Sequence, residues 1–325
     1  MRLPLWTSTS LLVSSLLLIA CGSDGGAAQP DAGIPGDLDA GGCTKATEHD
    51  VGTKRIAVAG DPEAFYGLGD PSIVYPSGAA AGFKSYSVVL AANAPAITVH
   101  TRLATSTDHG ATWSYLGAVN SVTPLSVTTA DTAICGAASC DGVWTHEVSS
   151  IIDDPTDPDP ARRYKIFAHS YLISAAGANR YDIGSIDLWT APAPAADTTW
   201  TETRLFGWSS NSPRSSTGVQ TVVTTDPVLS PLLSRCIFLT EPGALVRGNT
   251  IDLALGCAIF ESPTRIPIEI VLVRSTDHGA SWSPVGTLLD VADAEALGAT
   301  GAIGPQINAG NLLEVAGTTY LFATP

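Results

Sequence analysis

Three acidic residues stand directly before apolar runs. Asp70 lies in Gly69-Asp70-Pro71-Ser72-Ile73-Val74-Tyr75, Glu147 in Trp144-Thr145-His146-Glu147-Val148-Ser149, and Glu241 in Thr240-Glu241-Pro242-Gly243-Ala244-Leu245. Carboxylates brought together from separate segments suit glycoside hydrolysis. One must hold a proton, with a raised pKa, to give to the leaving oxygen; another must be ionised, to activate water or attack the sugar. The same acids also suit a purely structural role, capping strand starts and accepting from turn amides. Trp144 and His146, beside Glu147, set an aromatic face next to a polar group, as sugar stacking needs. A packed Trp with a hydrogen-bonded His uses the same residues. The run Asp153-Asp154-Pro155-Thr156-Asp157-Pro158-Asp159 offers oxygen ligands of the kind calcium takes. It lacks the spacing and glycine of an EF-hand, and a solvated loop is the plainer reading. No zinc spacing, phosphate-binding loop, Gly-x-Ser-x-Gly or His-Glu-x-x-His is present. Neither a cofactor nor a resident metal is expected.

The elements that must position these residues read as strands. From about residue 51, short β-branched and aromatic runs alternate with Gly, Pro, Asp and Ser clusters. Candidate strands are 72–75, 85–91, 97–104, 148–152, 164–169, 183–189, 244–246, 250–255 and 268–273. Helical spacing is almost absent, with one or two turns expected at 291–297. The chain is therefore expected to be all-β.

A repeat refines this. Ser106-Thr107-Asp108-His109-Gly110-Ala111-Thr112-Trp113 recurs as Ser275-Thr276-Asp277-His278-Gly279-Ala280-Ser281-Trp282, with seven of eight positions identical. Its chemistry is that of a turn. Ser and Asp side chains bind hairpin amides, Gly permits a positive φ, and Trp folds back over the turn. The pattern resembles the Asp-box (BNR repeat) of sialidases and related β-propellers. The resemblance implies a propeller, with Ser106, Asp108, Gly110, Trp113, Ser275, Asp277, Gly279 and Trp282 as structural residues on the blade rim. A degenerate middle copy, Asp187-Leu188-Trp189-Thr190 followed by Thr199-Trp200-Thr201, places blades at about 60–120, 144–208 and 237–290. A fourth begins near Gly304.

On that frame each blade opens with one of the three acids, and inner strands line a propeller's central channel. The segments resemble five-bladed glycosidases of the arabinosidase and xylosidase type. The resemblance implies Asp70 as base, Glu147 as the residue that orients and tunes, and Glu241 as acid. Glu147 departs from that family, which has Asp there. Sialidases grip a substrate carboxylate with three arginines. Here Arg265-Ile266-Pro267 lies out of place, Arg55-Ile56-Ala57 lacks the proline, and Arg102, Arg247 and Arg274 form no assignable triad. Arg247 remains a candidate substrate-binding residue.

The N-terminus reads as an address. Arg2 precedes an apolar run, Leu11 to Ala20, too short to span a bilayer. It ends in Leu18-Ile19-Ala20-Cys21, which resembles the lipobox of bacterial lipoproteins. The resemblance implies a signal peptide over 1–20, lipidation of Cys21 and an anchor in the outer membrane. Residues 22–42 hold four Asp and no Lys or Arg, an acidic flexible tether. Export permits disulfides. Cys135 with Cys140, and Cys236 with Cys257, are candidate pairs, leaving Cys43 over.

The chain has 325 residues, 45% of them hydrophobic, and a formal net charge of −15. The apolar fraction can bury a core, and the scarcity of cations argues against nucleic-acid binding. From Cys43 onward, roughly 280 residues at about 85 per blade make little more than three blades, fewer than a ring needs. The expectation is an incomplete, truncated propeller over 43–325. Its first expected role is a glycoside hydrolase-like protein acting on a glycan or glycoconjugate. A non-catalytic propeller binding glycan or protein, and an exo-sialidase, are the alternatives.

Overall fold

The computed structural model describes residues 58–63, 68–90, 98–128, 139–207 and 230–324. The signal segment, Cys21, the tether, Cys43, Arg55 and Cys135 lie outside the described residues. Sixteen strands and two short helices are present among those described.

The first sheet holds β1 (Val58–Ala59), β2 (Leu68–Val74), β3 (Gly82–Leu90), β4 (Thr98–Ser106) and β5 (Trp113–Ala118). Its order is β1-β5-β4-β3-β2, antiparallel apart from β1, which runs parallel to β5. The second holds β6 (Thr123–Thr128), β7 (Ser139–Asp153), β8 (Tyr164–Ser174), β9 (Asn179–Ala191) and β10 (Thr201–Gly207), with β6 pairing only the start of β7. A short helix, α1 (Ser230–Leu233), leads into the third: β11 (Cys236–Arg247), β12 (Thr250–Ile259), β13 (Ile268–Ser275) and β14 (Ser283–Leu289). After α2 (Val291–Ala296), capped reciprocally by Asp290 and Asp293, come β15 (Asn308–Val315) and β16 (Thr318–Thr324). Three consecutive four-stranded antiparallel meanders and two strands of a fourth make the described residues an incomplete β-propeller.

Strand alternation explains how the blades stack. Neighbouring residues on a strand point to opposite faces. In β7, Ile151 packs toward the first blade with Leu103 and Val119, while Ile152 packs toward the third with Leu253 and Val271. Ile166 and Phe167 in β8, and Trp189 and Leu188 in β9, divide the same way. Middle strands bury both faces and therefore read as continuous apolar runs. The outer strand β14 is mostly exposed. A further core joins the third blade to the fourth through Ile270, Leu272, Ile307, Leu312 and Ala294 of α2.

The two octapeptides form one and the same turn. Ser106 Oγ donates to Asp108 Oδ1 at 2.8 Å, and Asp108 accepts from the Thr112 amide and hydroxyl at 2.9 and 2.5 Å. Ser275, Asp277 and Ser281 repeat the pattern at 2.7, 2.8 and 2.6 Å. Gly110 and Gly279 have φ of 85° and 86°, and the histidines before them, at 56° and 60°, are also left-handed. Trp113 and Trp282 are buried. Trp282 meets Phe167 and Phe206 of the second blade edge-on, each at 5.9 Å. Trp200 is buried at the degenerate middle hairpin as well.

A Cys236–Cys257 disulfide joins β11 to β12. Cys140 is disulfide-bonded too; its expected partner lies outside the described residues. Strands β6, β10 and β14 exceed what the hydrophobic runs indicated, because edge strands need only one apolar face; β5 does too, an outer strand of its blade flanked only by the two-residue β1. Trp282→Ala should lower unfolding free energy by about 3–5 kcal/mol, read from the urea midpoint, because it empties a seat between two blades.

Candidate functional site

The inner strand of each blade carries the same irregularity. In β2 the register skips between Gly69 and Ser72, in β7 between Glu147 and Ser149, in β11 between Thr240 and Gly243, and in β15 between Asn308 and Asn311. Each is a β-bulge, two inner residues opposing one partner, a device that re-aims side chains beside functional sites. At three of them a non-glycine residue is left-handed: Asp70 at φ 48°, Val148 at 45° and Glu241 at 50°. Such backbone costs of order 1–3 kcal/mol each, and for a β-branched valine it is a genuine outlier. Asp70 and Glu241 thus hold equivalent places. Glu147 sits one residue earlier, at the position of Gly69, Thr240 and Asn308.

Side chains of one blade tie the inner strand of the next. Ser87 Oγ accepts from the Val148 amide at 3.1 Å, Ser72 Oγ from the Ile151 amide at 3.1 Å, and Ser150 Oγ from the Ala244 amide at 2.9 Å. Between the third and fourth blades the backbones themselves meet. A β-carbon on Gly243 would collide with the Gly310 carbonyl, so only glycine fits there.

Two cavities open at these bulges and share Glu241. The larger, about 160 Å³, is lined among others by Glu147, Tyr181, Phe238, Glu241, Gln306 and Asn308. The smaller, about 90 Å³, is lined by Asp70, Ser72, Val148, Glu241, Pro242 and Asn311 among others. The three acids singled out from the sequence therefore come to one place, from three consecutive inner strands.

Their electrostatics follow from crowding. Burial, then the negative charges of Asp70 and Glu241, push the Glu147 carboxyl up from 4.5 to about 8. Burial also raises Asp70, opposed by a hydrogen bond from Ser87. Among the described residues lining the two cavities there is no Lys or Arg. His169 Nδ1 stands 4.0 Å from Glu147 Oε1, but burial drives its pKa down to about 3, so the ring is neutral. Its Nδ1 is 3.1 Å from Thr240 Oγ1. Tyr171 pulls the Glu147 pKa the other way, downward. At neutral pH Glu147 thus keeps its proton, beside two further carboxyl groups.

The other residues named from the sequence lie elsewhere. Trp144 is buried among Cys140, Leu172 and Ile183, with the Arg204 guanidinium 5.0 Å above its ring. His146 is buried, its Nδ1 2.8 Å from Ser170 Oγ and its ring edge-on to Trp189. Arg247 ties the third blade to the fourth, pairing Asp252 and Glu314. Arg274 pairs Asp252, Arg102 pairs Asp61 and Glu63, and Arg265 pairs Glu261 and Glu295. The acidic loop satisfies itself. Asp153 pairs Arg163, and Lys165 Nζ lies 2.8 Å from both Asp154 Oδ2 and Asp157 Oδ2. Asp154, Asp157 and His278 offer ligand atoms within 4.8 Å of one another, with the Lys165 ammonium against both carboxylates.

Sequence reasoning passed over Tyr171, Tyr181, Phe238, Gln306 and Asn308. For the last two a signal existed. Gln306-Ile307-Asn308 precedes the fourth apolar run just as the acids precede the first three.

No protein-family model matches the chain, and no curated protein matches it. Solved structures give distant likenesses. A xylan β-1,4-xylosidase from Bacillus halodurans is 14% identical, with TM-score 0.41 over 78% of this chain and 37% of that one. A fructofuranosidase variant from Schwanniomyces occidentalis is 12% identical, at 0.44 over 79% and 40%. A Cellvibrio cellulosa α-L-arabinanase is 10% identical, at 0.30 over 79% and 86%. The chain spans about two fifths of the xylosidase and fructofuranosidase it matches. Likenesses this distant assign neither fold nor activity; strand order and register assign the fold.

Glu147 makes stability depend on pH with a definite sign. Its folded pKa is raised, so its contribution is greatest below 4.5 and is lost as pH climbs to about 8. Glu147→Gln should therefore match the wild type only below about pH 4.5. It should exceed it by on the order of 2–4 kcal/mol in alkaline solution, as paired urea titrations would show.

Proposed function

We propose that this chain is an exported, lipid-anchored propeller that hydrolyses glycosidic bonds of an uncharged glycan. The observation that carries the reading is the meeting of Asp70, Glu147 and Glu241 at two cavities joined through Glu241. Three carboxyl groups in one place do not all ionise, and the proton resides on the Glu147 side. Glu241, beside the glycosidic oxygen, takes this shared proton and gives it to the leaving oxygen, which leaves Glu147 and Glu241 ionised. Asp70, across Glu241 in the smaller cavity, activates the water that attacks the anomeric carbon. Gln306 and Asn308 provide amides for sugar hydroxyls, and Tyr181 and Phe238 an aromatic surface.

Charge supports an uncharged substrate. Among the described lining residues of both cavities there is neither Lys nor Arg. The described lining would meet a carboxylated sugar with acids, which weighs against the exo-sialidase reading.

Hydrolysis of neutral aryl glycosides by the full-length protein tests this. Asp70→Asn and Glu241→Gln should each lower kcat/KM by at least about 100-fold, with the fold kept by circular dichroism. A sialoside should not turn over. Absence of turnover on every neutral glycoside, with binding of glycans retained, would favour the non-catalytic reading. Anchoring at Cys21 is tested separately: Cys21→Ser should move the protein from the membrane fraction to the soluble one and abolish fatty-acid labelling.

A further inference from the structure

The same bulge position on three inner strands lines the larger cavity, with Glu147, Thr240 and Asn308. Thr240 alone of these is an alcohol. It is buried, and it is held on two sides. Its methyl lies where a β-carbon on Gly256 would come within 2.7 Å, so the missing side chain makes room for it. Its Oγ1 lies 3.1 Å from His169 Nδ1, across the join between second and third blades. Packing against the Tyr171 and Tyr181 rings, at centroid distances of 5.1 and 5.7 Å, fixes the plane of His169.

We propose that Thr240 is a ligand-binding hydroxyl of fixed polarity, a donor to a sugar oxygen, and that His169 is the positioning residue that fixes it. This rests on the reading that the cavity takes an uncharged sugar. The argument turns on where the hydrogen of His169 sits. The ring is fully buried and neutral, so it carries one N–H and one bare nitrogen. His169 Nε2 is buried and has no hydrogen-bond partner among the described residues. A hydrogen there would be a buried donor with nothing to receive it. A bare lone pair there is the smaller loss. The hydrogen is therefore on Nδ1, and Thr240 Oγ1 accepts it. Glu147 Oε1, at 4.0 Å, is too far to compete. A threonine hydroxyl has one hydrogen to give. With its oxygen receiving from His169 and its methyl seated at Gly256, Thr240 has that hydrogen left for the cavity it lines.

The consequence is selectivity. A sugar atom set against Thr240 has to accept, so an alcohol, an ether or the ring oxygen fits there. A sugar lacking oxygen at that place leaves a buried hydroxyl hydrogen unpaired, the kind of loss that discriminates most strongly between close analogues.

The experiment has two arms, both on the full chain. Nitrogen-15 spectra of labelled histidine read the tautomer, with His169→Gln assigning the signal. His169 should carry its hydrogen on Nδ1 in the wild type and in Thr240→Ser, and the signal should change in Thr240→Val, which has no oxygen to receive it. The second arm is calorimetric titration with the methyl glycosides of neutral pentoses and hexoses. Thr240→Val should weaken the tightest of them by about 10-fold, and Thr240→Ser by no more than about 3-fold. Because His169 acts through Thr240, adding His169→Gln to Thr240→Val should cost nothing further. Should His169→Gln fail to fold, the wild type, Thr240→Ser and Thr240→Val still decide. A His169 hydrogen on Nε2, or a spectrum unchanged by Thr240→Val, overturns the proposal. So does equal affinity of wild type and Thr240→Val for every glycoside bound, a result that leaves the glycosidase reading standing. Binding of no glycoside by the wild type overturns both. Binding that Thr240→Val weakens, without hydrolysis, upholds this inference and overturns the glycosidase reading.

Discussion

Each blade has to bury both faces of its middle strands against its neighbours, and the rest of the structure follows from that. It makes Ile151 and Ile152, adjacent in sequence, belong to different cores. It makes β12 nearly all apolar, where a sheet with one wet face would alternate. It brings the inner strands so close that Gly243 and Gly310 meet backbone to backbone. Strands pressed together in this way leave little space on the axis. The bulges create what space there is, turning Asp70 and Glu241 toward it at the cost of left-handed backbone.

That crowding also sets the chemistry. A carboxyl placed alone in water would be ionised at neutral pH. Here Glu147 shares its surroundings with two other acids, a neutral imidazole and two phenols. Its proton is kept by burial first, and then by the negative charges of Asp70 and Glu241. Described arginines are engaged elsewhere, Arg247 with Glu314 of the fourth blade and Arg274 with Asp252 within the third.

Much of the architecture was legible in the sequence. The octapeptide repeat marked two hairpins whose turns agree bond for bond, and the apolar runs marked the middle strands. The three acids were legible as a set because each interrupts a strand start. What could not be read was direction. Nothing in Glu147-Val148 declares that Val148 takes the left-handed place that Asp70 and Glu241 take elsewhere. Tyr181 looks like an ordinary strand aromatic, and only the fold brings it to the larger cavity. Trp144 and His146 suited sugar stacking and core packing equally. They lie in the core because β7 is long enough for β6 to pair with its first half.

The lysine between Asp154 and Asp157 has a consequence beyond its blade. Many exported domains knit their loops with calcium taken from the medium, and loosen when it is scarce. This loop carries its own counter-ion on a side chain, and the same Asp154 carboxylate reaches across to His278 of the next blade at 2.9 Å. The join between second and third blades is therefore covalently supplied with its cation.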